Sequence, residues 1–262
     1  MQLQQLSVGH GALTAVRIGT GPDLVLLHSL LADRHAFDSV LPALASKHRV
    51  TLFNLPGFAG SQPTLLALMD AYVAAVEDGF QELGIANDAV LIGNGFGGTL
   101  AIAFAFSHPE RIAKLMVCDA AASFPPEGRE GFATMAAKVA DGGLGVIADI
   151  AARRVFSPAY LAAHPQAIEQ QKAVLMGIDP KAFHAACKIL QEIDLMPELH
   201  KLKMPVLVVC GEFDQATPPA LNKQVAEKIP GARYVELSGC GHCPPLEQPE
   251  AFLAAIRDFV GL

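Results

Sequence analysis

A glycine-rich turn follows the apolar residues 90–92 and leads into a second apolar stretch, residues 99–107. Gly93 and Gly97 have the spacing of the Gly-x-Ser-x-Gly turn, which joins a strand to a helix and projects a nucleophilic hydroxyl into a site. The central position holds Gly95 in place of serine. The turn therefore predicts a site built for acyl transfer whose usual nucleophile is absent.

A dinucleotide fingerprint is the competing interpretation, since Gly93-x-Gly95-x-x-Gly98 also has the required glycine spacing. That fingerprint opens a βαβ unit and needs an acidic residue about 20 positions further on. The turn instead follows the third predicted strand, and Asp119 is the nearest acidic candidate. These departures favour the nucleophile turn.

An acid and a histidine complete the pattern further along the chain. Asp214 follows the apolar residues 206–210, and His242 follows residues 234–237. Turn, acid and histidine come in the order that enzymes with this turn use. Asp214 is expected to hold His242 in the productive tautomer and to stabilise its protonated form. Asp119 is an alternative position for the acid, although the loop context favours Asp214.

The segment His28-Ser29-Leu30 follows an earlier apolar run, where an oxyanion loop belongs. The backbone N–H groups of Leu30 and Phe96 are predicted to converge on a developing oxyanion. His28 is expected to order this loop, and Ser29 is expected to contact substrate. Ser29 and Cys118 both follow strands, but neither lies in the glycine-rich turn, so no replacement nucleophile is predicted.

Two further patterns have competing interpretations. Cys240 and Cys243 form a CxxC, but a structural zinc site needs four ligands and a redox pair normally opens a helix. They are interpreted as loop cysteines, and neither a metal nor an organic cofactor is predicted. Arg153 and Arg154 are candidate substrate-binding residues, because arginine pairs bidentately with carboxylates. The alternative for both arginines is a solvated helix face.

Six short apolar segments predict the buried strands that position these residues. Helical patterns separate them, as where apolar residues from Leu65 to Leu83 step by 4, 3, 4, 4 and 3 positions. Near-continuous apolar strands alternating with helices predict an α/β fold with a doubly wound, mostly parallel sheet. The predicted strands are residues 24–27, 50–53, 89–92, 115–118, 206–210 and 234–237.

One stretch interrupts the alternation, because residues 124–197 contain no predicted strand. They are rich in alanine and carry apolar residues at helical spacing, interrupted by prolines. The chain is therefore divided into a core, residues 1–123 and 201–262, and an inserted helical lid, residues 124–200. The lid is expected to cover the carboxyl edge of the sheet, where ligands bind in open α/β sheets.

Composition sets the outer limits on function. The chain has 262 residues, 52% of them hydrophobic, and a net charge of −7, which excludes a disordered chain and argues against binding nucleic acid or an anionic membrane. Neither a signal peptide nor an apolar span of about 20 residues is evident. Five cysteines do not suggest a disulfide framework, so a cytoplasmic setting is expected. The expected partner is a small-molecule substrate, and a homo-oligomer stays open.

Over essentially its whole length the sequence resembles the α/β-hydrolase family. Residues 54–61 are similar to the family's Asp-x-Pro-Gly-x-Gly-x-Ser loop, with Asn54 and Ala59 as departures, and residues 108–112 match another common family stretch. The segments 28–30, 156–165, 216–219 and 242–249 are most similar to 3-oxoadipate enol-lactonases and related ester or lactone hydrolases. The resemblance implies ester or lactone hydrolysis by a Ser-His-Asp type mechanism.

Residues 93–98 are instead similar to the turn of hydrolases that cleave carbon–carbon bonds. Those enzymes usually carry tryptophan beside the catalytic histidine, whereas Cys243 follows His242 here and the chain has no tryptophan. Ester or lactone hydrolysis is therefore favoured over carbon–carbon cleavage.

Gly95 leaves three hypotheses open. The leading one is an ester or enol-lactone hydrolase inactivated by an engineered Ser→Gly change, because everything that serves a serine is retained. The second is a His242–Asp214 dyad that activates water or abstracts a proton from a substrate carbon, including in carbon–carbon bond hydrolysis. The third is a non-catalytic homologue that binds a ligand in the same pocket.

Overall fold

An eight-stranded sheet forms the core of the computed structural model, which describes residues 4–64 and 66–262. The strand order is β1-β2-β4-β3-β5-β6-β7-β8, parallel from β4 to β8 and antiparallel where β2 meets β1 and β4. Every residue of β3, β5 and β7 is buried, as expected for parallel strands covered on both faces. The predicted doubly wound, mostly parallel sheet is confirmed. The strands are β1 (Gln4–Val8), β2 (Leu13–Ile18), β3 (Asp23–Leu27), β4 (Arg49–Asn54), β5 (Ala89–Asn94), β6 (Ile112–Cys118), β7 (Val206–Gly211) and β8 (Arg233–Leu237).

Sequence analysis predicts the last six strands and misses the antiparallel pair β1 and β2. In β1 only Val8 is buried, and Gln4 and Gln5 are exposed, because this strand forms an edge of the sheet. An edge strand with alternating polar residues lacks the continuous apolar run that marks the buried strands.

Eleven α-helices occur in the described residues, with short 3₁₀ turns between some of them. Met69, Tyr72, Val76 and Phe80 are buried along α2, in agreement with their helical spacing. Leu65, the first residue of that predicted pattern, lies outside the described residues, as do residues 1–3. The helices are α1 (Leu41–Ala45), α2 (Met69–Glu82), α3 (Phe96–Ser107), α4 (Pro126–Gly142), α5 (Ala148–Val155), α6 (Pro158–Ala163), α7 (Gln166–Met176), α8 (Pro180–Glu192), α9 (Pro219–Lys228), α10 (Pro244–Glu247) and α11 (Pro249–Val260).

The segment predicted to form a lid contains five of these helices, α4 to α8, all inserted between β6 and β7. Helix α4 packs mainly on α8, and α5 packs on α7. Phe183, Cys187 and Leu190 form the buried face of α8. Of the apolar residues at helical spacing near α5, Ile147 is buried whereas Ile150 is 62% exposed, because it lies on the solvent side of the helix. No helix within the described residues combines the length and the apolar character that crossing a bilayer requires.

Candidate active site

The turn between β5 and α3 has the backbone of a strand-to-helix elbow. Gly95 has φ 55° and ψ −121°, in the left-handed region where a side chain adds strain. Its N–H donates to the Cys118 carbonyl at 2.9 Å, which ties the turn to the end of β6. A Cβ on Gly93 would lie 2.2 Å from the Gly97 carbonyl oxygen, and a Cβ on Gly97 would lie 2.4 Å from that of Leu27. Close backbone approach therefore requires both flanking glycines.

Asp214 and His242 form a buried couple at the ends of β7 and β8. Nδ1 of His242 lies 3.0 Å from Oδ1 and 3.1 Å from Oδ2 of Asp214. The carboxylate also accepts bonds from the Ala216 N–H at 2.8 Å and from Thr217, whose hydroxyl lies at 2.6 Å. Burial disfavours the charge, but the interactions with His242 and Thr217 outweigh it and lower the pKa of Asp214 to about 2. Because Nδ1–H points at an ionised carboxylate, Nε2 is the nitrogen available to take a proton.

Asp119, the alternative acid, lies beside this couple but not against the imidazole. Its carboxyl group accepts the Gly211 N–H at 2.7 Å and the Cys118 thiol at 3.1 Å. Burial and the nearby charge of Asp214 raise the pKa of Asp119 well above its usual range. The geometry therefore favours Asp214 as the acid partner of His242, and Asp119 is a buried neighbour whose charged form burial disfavours.

One cluster in the described residues has the composition of a metal site. The ligand atoms of Asp119, Cys210 and Asp214 lie within 4.8 Å of one another. Metal ligands must be deprotonated, yet burial raises the pKa of the Cys210 thiol as it does that of the Asp119 carboxyl group. Cys240 and Cys243 are also free, buried thiols whose pKa burial raises. The carboxylates of Asp214 and Asp119 already have partners within the protein, His242 Nδ1 and the Gly211 N–H.

Ser29 lies where the side chain of an elbow residue would be. Its Oγ is 3.0 Å from Nε2 of His242. A Cβ built on Gly95 would lie 2.3 Å from that Oγ and 2.9 Å from Nε2. Sequence analysis predicts no hydroxyl beside His242, whereas the structure places that of Ser29 within hydrogen-bond distance of it. The loop after β3 supplies a hydroxyl to His242, because the space left by Gly95 admits the Ser29 side chain.

His28 fixes the peptide that follows Ser29. Its Nε2 accepts the Leu55 N–H at 2.9 Å, so Nδ1 carries the hydrogen and donates to the Ser29 carbonyl at 2.8 Å. Burial lowers the pKa of His28 to about 4, which keeps the ring neutral. Because the peptide group is planar and trans, the N–H of Leu30 points opposite to the braced Ser29 carbonyl. His28 therefore orders the loop, as the sequence suggests, and is not positioned for proton transfer at Nε2 of His242.

The two predicted oxyanion donors border the same space. The N–H of Phe96 is at the first turn of α3, where backbone donors have no partner within the helix and the helix dipole is positive. Within the described part of the chain, neither this amide nor that of Leu30 has a hydrogen-bond acceptor. Both amides are therefore free to bind an anionic oxygen.

A cavity of about 100 Å³ opens beside these groups, between the strand ends and the lid. Ligand pockets for drug-sized molecules are typically about 300–1,000 Å³, so this one suits a small molecule. Leu30, Gly95 and Phe96 form its wall on the core side together with Ser29 and His242. The lid residues that line it include Phe124, Phe132, Met135, Arg154 and Leu190.

The structure separates the two candidate arginines of α5. Arg154 lines the cavity and, in the described part of the chain, forms no ion pair. Arg153 is exposed and pairs with Asp149 one helical turn away, 3.1 Å from its carboxylate. Arg153 therefore lies on the solvated helix face and does not line the cavity, because adjacent helical residues point about 100° apart.

Two buried polar residues that sequence analysis does not single out hold the His242 loop in place. Glu247 accepts the N–H groups of Ser157 at 2.9 Å and Gly241 at 3.1 Å, and also the Ser157 hydroxyl. Nδ2 of Asn94 donates to the His242 carbonyl at 3.0 Å. Glu247 therefore joins the lid to the histidine loop, and Asn94 joins that loop to the elbow. The sequence signal for Glu247 is that it lies in residues 242–249, which resemble a segment of ester and lactone hydrolases.

Comparison with known proteins agrees with this fold. The alpha/beta hydrolase family model matches residues 24–255. A pimeloyl-[acyl-carrier protein] methyl ester esterase from Aeromonas hydrophila is 31% identical over 263 residues, which cover 95% of this chain and all of that protein.

Two solved structures are similar along nearly their full length. A thermophilic esterase from Thermogutta terrifontis has 30% identity and a TM-score of 0.89, with 99% of this chain and 98% of that chain covered. The enol-lactonase from Burkholderia xenovorans LB400 has 27% identity and a TM-score of 0.92, with coverage of 99% and 100%. By its sequence, its sheet and the arrangement of its strand-end loops, the chain belongs to the alpha/beta hydrolase family.

Proposed function

We propose that this protein hydrolyses small carboxylic esters or lactones in the cavity beneath the lid. One observation carries the proposal: Nε2 of His242, backed by the Asp214 carboxylate, faces a cavity bordered by two free backbone amides. A base and an oxyanion hole are the parts that acyl transfer needs.

Each part has a defined task in that reaction. His242 takes a proton at Nε2 from the attacking hydroxyl, and the ionised Asp214 stabilises the imidazolium that forms. The N–H groups of Leu30 and Phe96 bind the oxygen that becomes negative as the carbonyl carbon turns tetrahedral. Loss of one such donor costs about 3–4 kcal/mol of transition-state stabilisation in comparable enzymes.

The lining of the cavity favours the ester or lactone of a short dicarboxylic acid. Phe124, Phe132 and Met135 provide apolar contact for a hydrocarbon chain. The lid side of the lining also carries Glu127 and Arg154, and the Arg154 guanidinium can pair with a second carboxylate of the substrate. The relatives named as a pimeloyl-[acyl-carrier protein] methyl ester esterase and as an enol-lactonase support an ester or a lactone as the reacting group. The substrate class is therefore a small acyl group with an anionic end.

Gly95 determines how the turnover experiment is interpreted. An elbow enzyme inactivated by loss of its serine shows no turnover until Gly95→Ser restores the hydroxyl. A binding homologue shows none with either residue. A His242–Asp214 dyad that activates water gives turnover without an acyl-enzyme burst.

The test measures hydrolysis of p-nitrophenyl acetate, monomethyl esters of dicarboxylic acids and an enol lactone by the purified protein. Turnover that His242→Asn abolishes and His200→Asn leaves unchanged is the expected result. His200 is an exposed histidine outside the cavity, so it controls for surface reactivity. Absence of turnover on every ester and lactone would contradict the proposal.

A further inference from the structure

We propose that Ser29, on the loop after β3, is the nucleophile of this site, in place of a serine on the elbow after β5. The inference rests on the proposed hydrolytic function and gives it the covalent residue that Gly95 cannot provide. The site is then a complete Ser29–His242–Asp214 triad.

The hydrogen bonds connect the three residues in the required sequence. Asp214 binds Nδ1 of His242 at 3.0 Å, and Nε2 of the same ring lies 3.0 Å from the Ser29 Oγ. A nucleophile and its base within about 2.6–3.2 Å, with the base oriented by a third group, are the geometric signature of an activated hydroxyl. Ser29 also lines the cavity, so its hydroxyl faces the space that a substrate would fill.

Gly95 and Ser29 depend on each other. Any residue larger than glycine at position 95 would bring its Cβ to 2.3 Å from the Ser29 Oγ and 2.7 Å from the Ser29 Cβ. Such contacts would push Ser29 out of hydrogen-bond distance of His242. The glycine therefore makes the room that the Ser29 hydroxyl uses.

The oxyanion hole suits a nucleophile at position 29 as well as it suits one at position 95. In an elbow enzyme, one oxyanion donor is the amide directly after the nucleophile and the second comes from another loop. Leu30 follows Ser29 directly, and His28 fixes the peptide between them through the Ser29 carbonyl. Phe96 supplies the second amide. Both amides stay where they are, but the one adjacent to the nucleophile is now that of Leu30 and the one from the other loop is that of Phe96.

The reaction then balances without any further group. As Ser29 Oγ bonds to the ester carbonyl carbon, its proton passes to Nε2 of His242, and the carbonyl oxygen takes the electron pair. Collapse breaks the bond to the alcohol oxygen, which leaves with the proton from His242. Water adds to the acyl-Ser29 carbonyl and gives its proton to His242. The Oγ–carbonyl bond breaks, the carboxylic acid leaves, and Ser29 regains the proton.

The experiment combines covalent labelling with three variants. The protein is treated with an alkyl fluorophosphonate, in which a serine oxygen displaces fluoride, and the labelled peptide is identified by mass spectrometry. Turnover of p-nitrophenyl acetate and the pre-steady-state burst are measured for Ser29→Ala, Ser29→Cys and Gly95→Ala. Ser46→Ala changes an exposed serine that does not line the cavity and is the matched control.

We expect the label on Ser29 and a burst in the unmodified protein. Ser29→Ala loses the label and at least about 10³-fold in kcat with an unchanged melting temperature, a loss typical of removing a nucleophile. Ser29→Cys retains acylation as a thioester. Gly95→Ala lowers both turnover and the labelling of Ser29, because its Cβ would lie 2.3 Å from the Ser29 Oγ.

The outcomes separate this inference from the proposed function. Turnover that survives in Ser29→Ala within tenfold, with no label on Ser29, overturns the nucleophile and leaves hydrolysis by activated water. A label on Ser29 in a protein that turns over no ester supports the nucleophile and contradicts the hydrolytic function. Absence of both label and turnover contradicts both. The labelling uses the unmodified protein, so it is informative even if Ser29→Ala does not fold.

Discussion

The turns after β3 and β5 approach the same point of the site by different means. The two strands are parallel neighbours, with Leu27 opposite Gly93, and the Gly97 N–H donates to the His28 carbonyl at 3.0 Å. The elbow after β5 is held by backbone contacts and glycines. The loop after β3 is held by a side chain, the His28 imidazole, which braces the Ser29 carbonyl.

This difference shows why the elbow keeps its shape without a side chain at its centre. None of the contacts that fix Gly95 involves a Cβ, since its N–H bonds to Cys118 and its carbonyl accepts from the first turn of α3. Glycine there leaves the backbone unstrained and leaves a space that a side chain would fill. The loop after β3 presents a hydroxyl to that space, so a function tied to one turn can be met by its neighbour.

The largest expected effect comes from moving the hydroxyl between the two turns. Ser29→Gly alone removes both the Oγ and the Cβ, and we expect kcat for an activated ester to fall by about 10³-fold or more. Adding Gly95→Ser in the same chain places a hydroxyl on the elbow without the close contact with Ser29. We expect the double variant to recover at least about 100-fold of the loss, since His242 and both amides are retained.

Burst kinetics and labelling of the double variant identify where the acyl group is attached. We expect the fluorophosphonate label to move from Ser29 to the serine that Gly95→Ser introduces. A double variant that folds but stays as inactive as Ser29→Gly would show that the two turns are not equivalent.

Removing the brace from the loop is the next largest effect. His28→Ala frees the Ser29 carbonyl, so the Ser29 hydroxyl and the Leu30 amide lose their fixed orientation. A misplacement of about 1 Å can cost about 100-fold in rate, and we expect a fall of that size in kcat with little change in KM. His48→Ala also removes a buried histidine, but outside the residues that line the cavity. Equal losses in the two variants would point to general destabilisation.

The pKa of Asp214, the acid partner of His242, leads to a prediction that does not depend on which turn carries the nucleophile. Asp214 has a folded-state pKa of about 2, below its ordinary value of 3.8. Because the pKa of Asp214 is lower in the folded state, its ionised carboxylate stabilises the fold by about 2 kcal/mol at pH values above the unfolded-state pKa. This stabilisation is lost as pH falls from about 4 toward 2. The free energy of unfolding, measured in urea, should therefore fall more steeply over that range for the wild type than for Asp214→Asn. Parallel pH profiles would contradict the shift.

Much of this architecture follows from the sequence because its signals are local. Short apolar runs mark the six parallel strands β3 to β8, and Asp214 and His242 lie in the loops that follow β7 and β8. The relation between Ser29 and Gly95 is not local. It depends on which strands are neighbours and on their register, and neither leaves a local pattern in the chain. Glu247 escapes the same reasoning, because a single buried carboxylate has no periodic signature.

In the lid, too, the sequence does not show which of two neighbouring residues lies at the site. Substitution there has the smallest effect that we expect. The sequence does not distinguish Arg153 from Arg154, but only Arg154 lines the cavity, while Arg153 pairs with Asp149 on the exposed face.

We expect Arg154→Gln to raise KM by about tenfold for the monomethyl ester of a dicarboxylic acid, about 1.4 kcal/mol. KM for an uncharged methyl ester should stay unchanged, because that substrate has no carboxylate to pair with Arg154. Arg153→Gln is the matched control and should leave both constants as they are, since surface ion pairs contribute little. A similar rise in KM for both substrates would show that Arg154 shapes the cavity without recognising the anionic end.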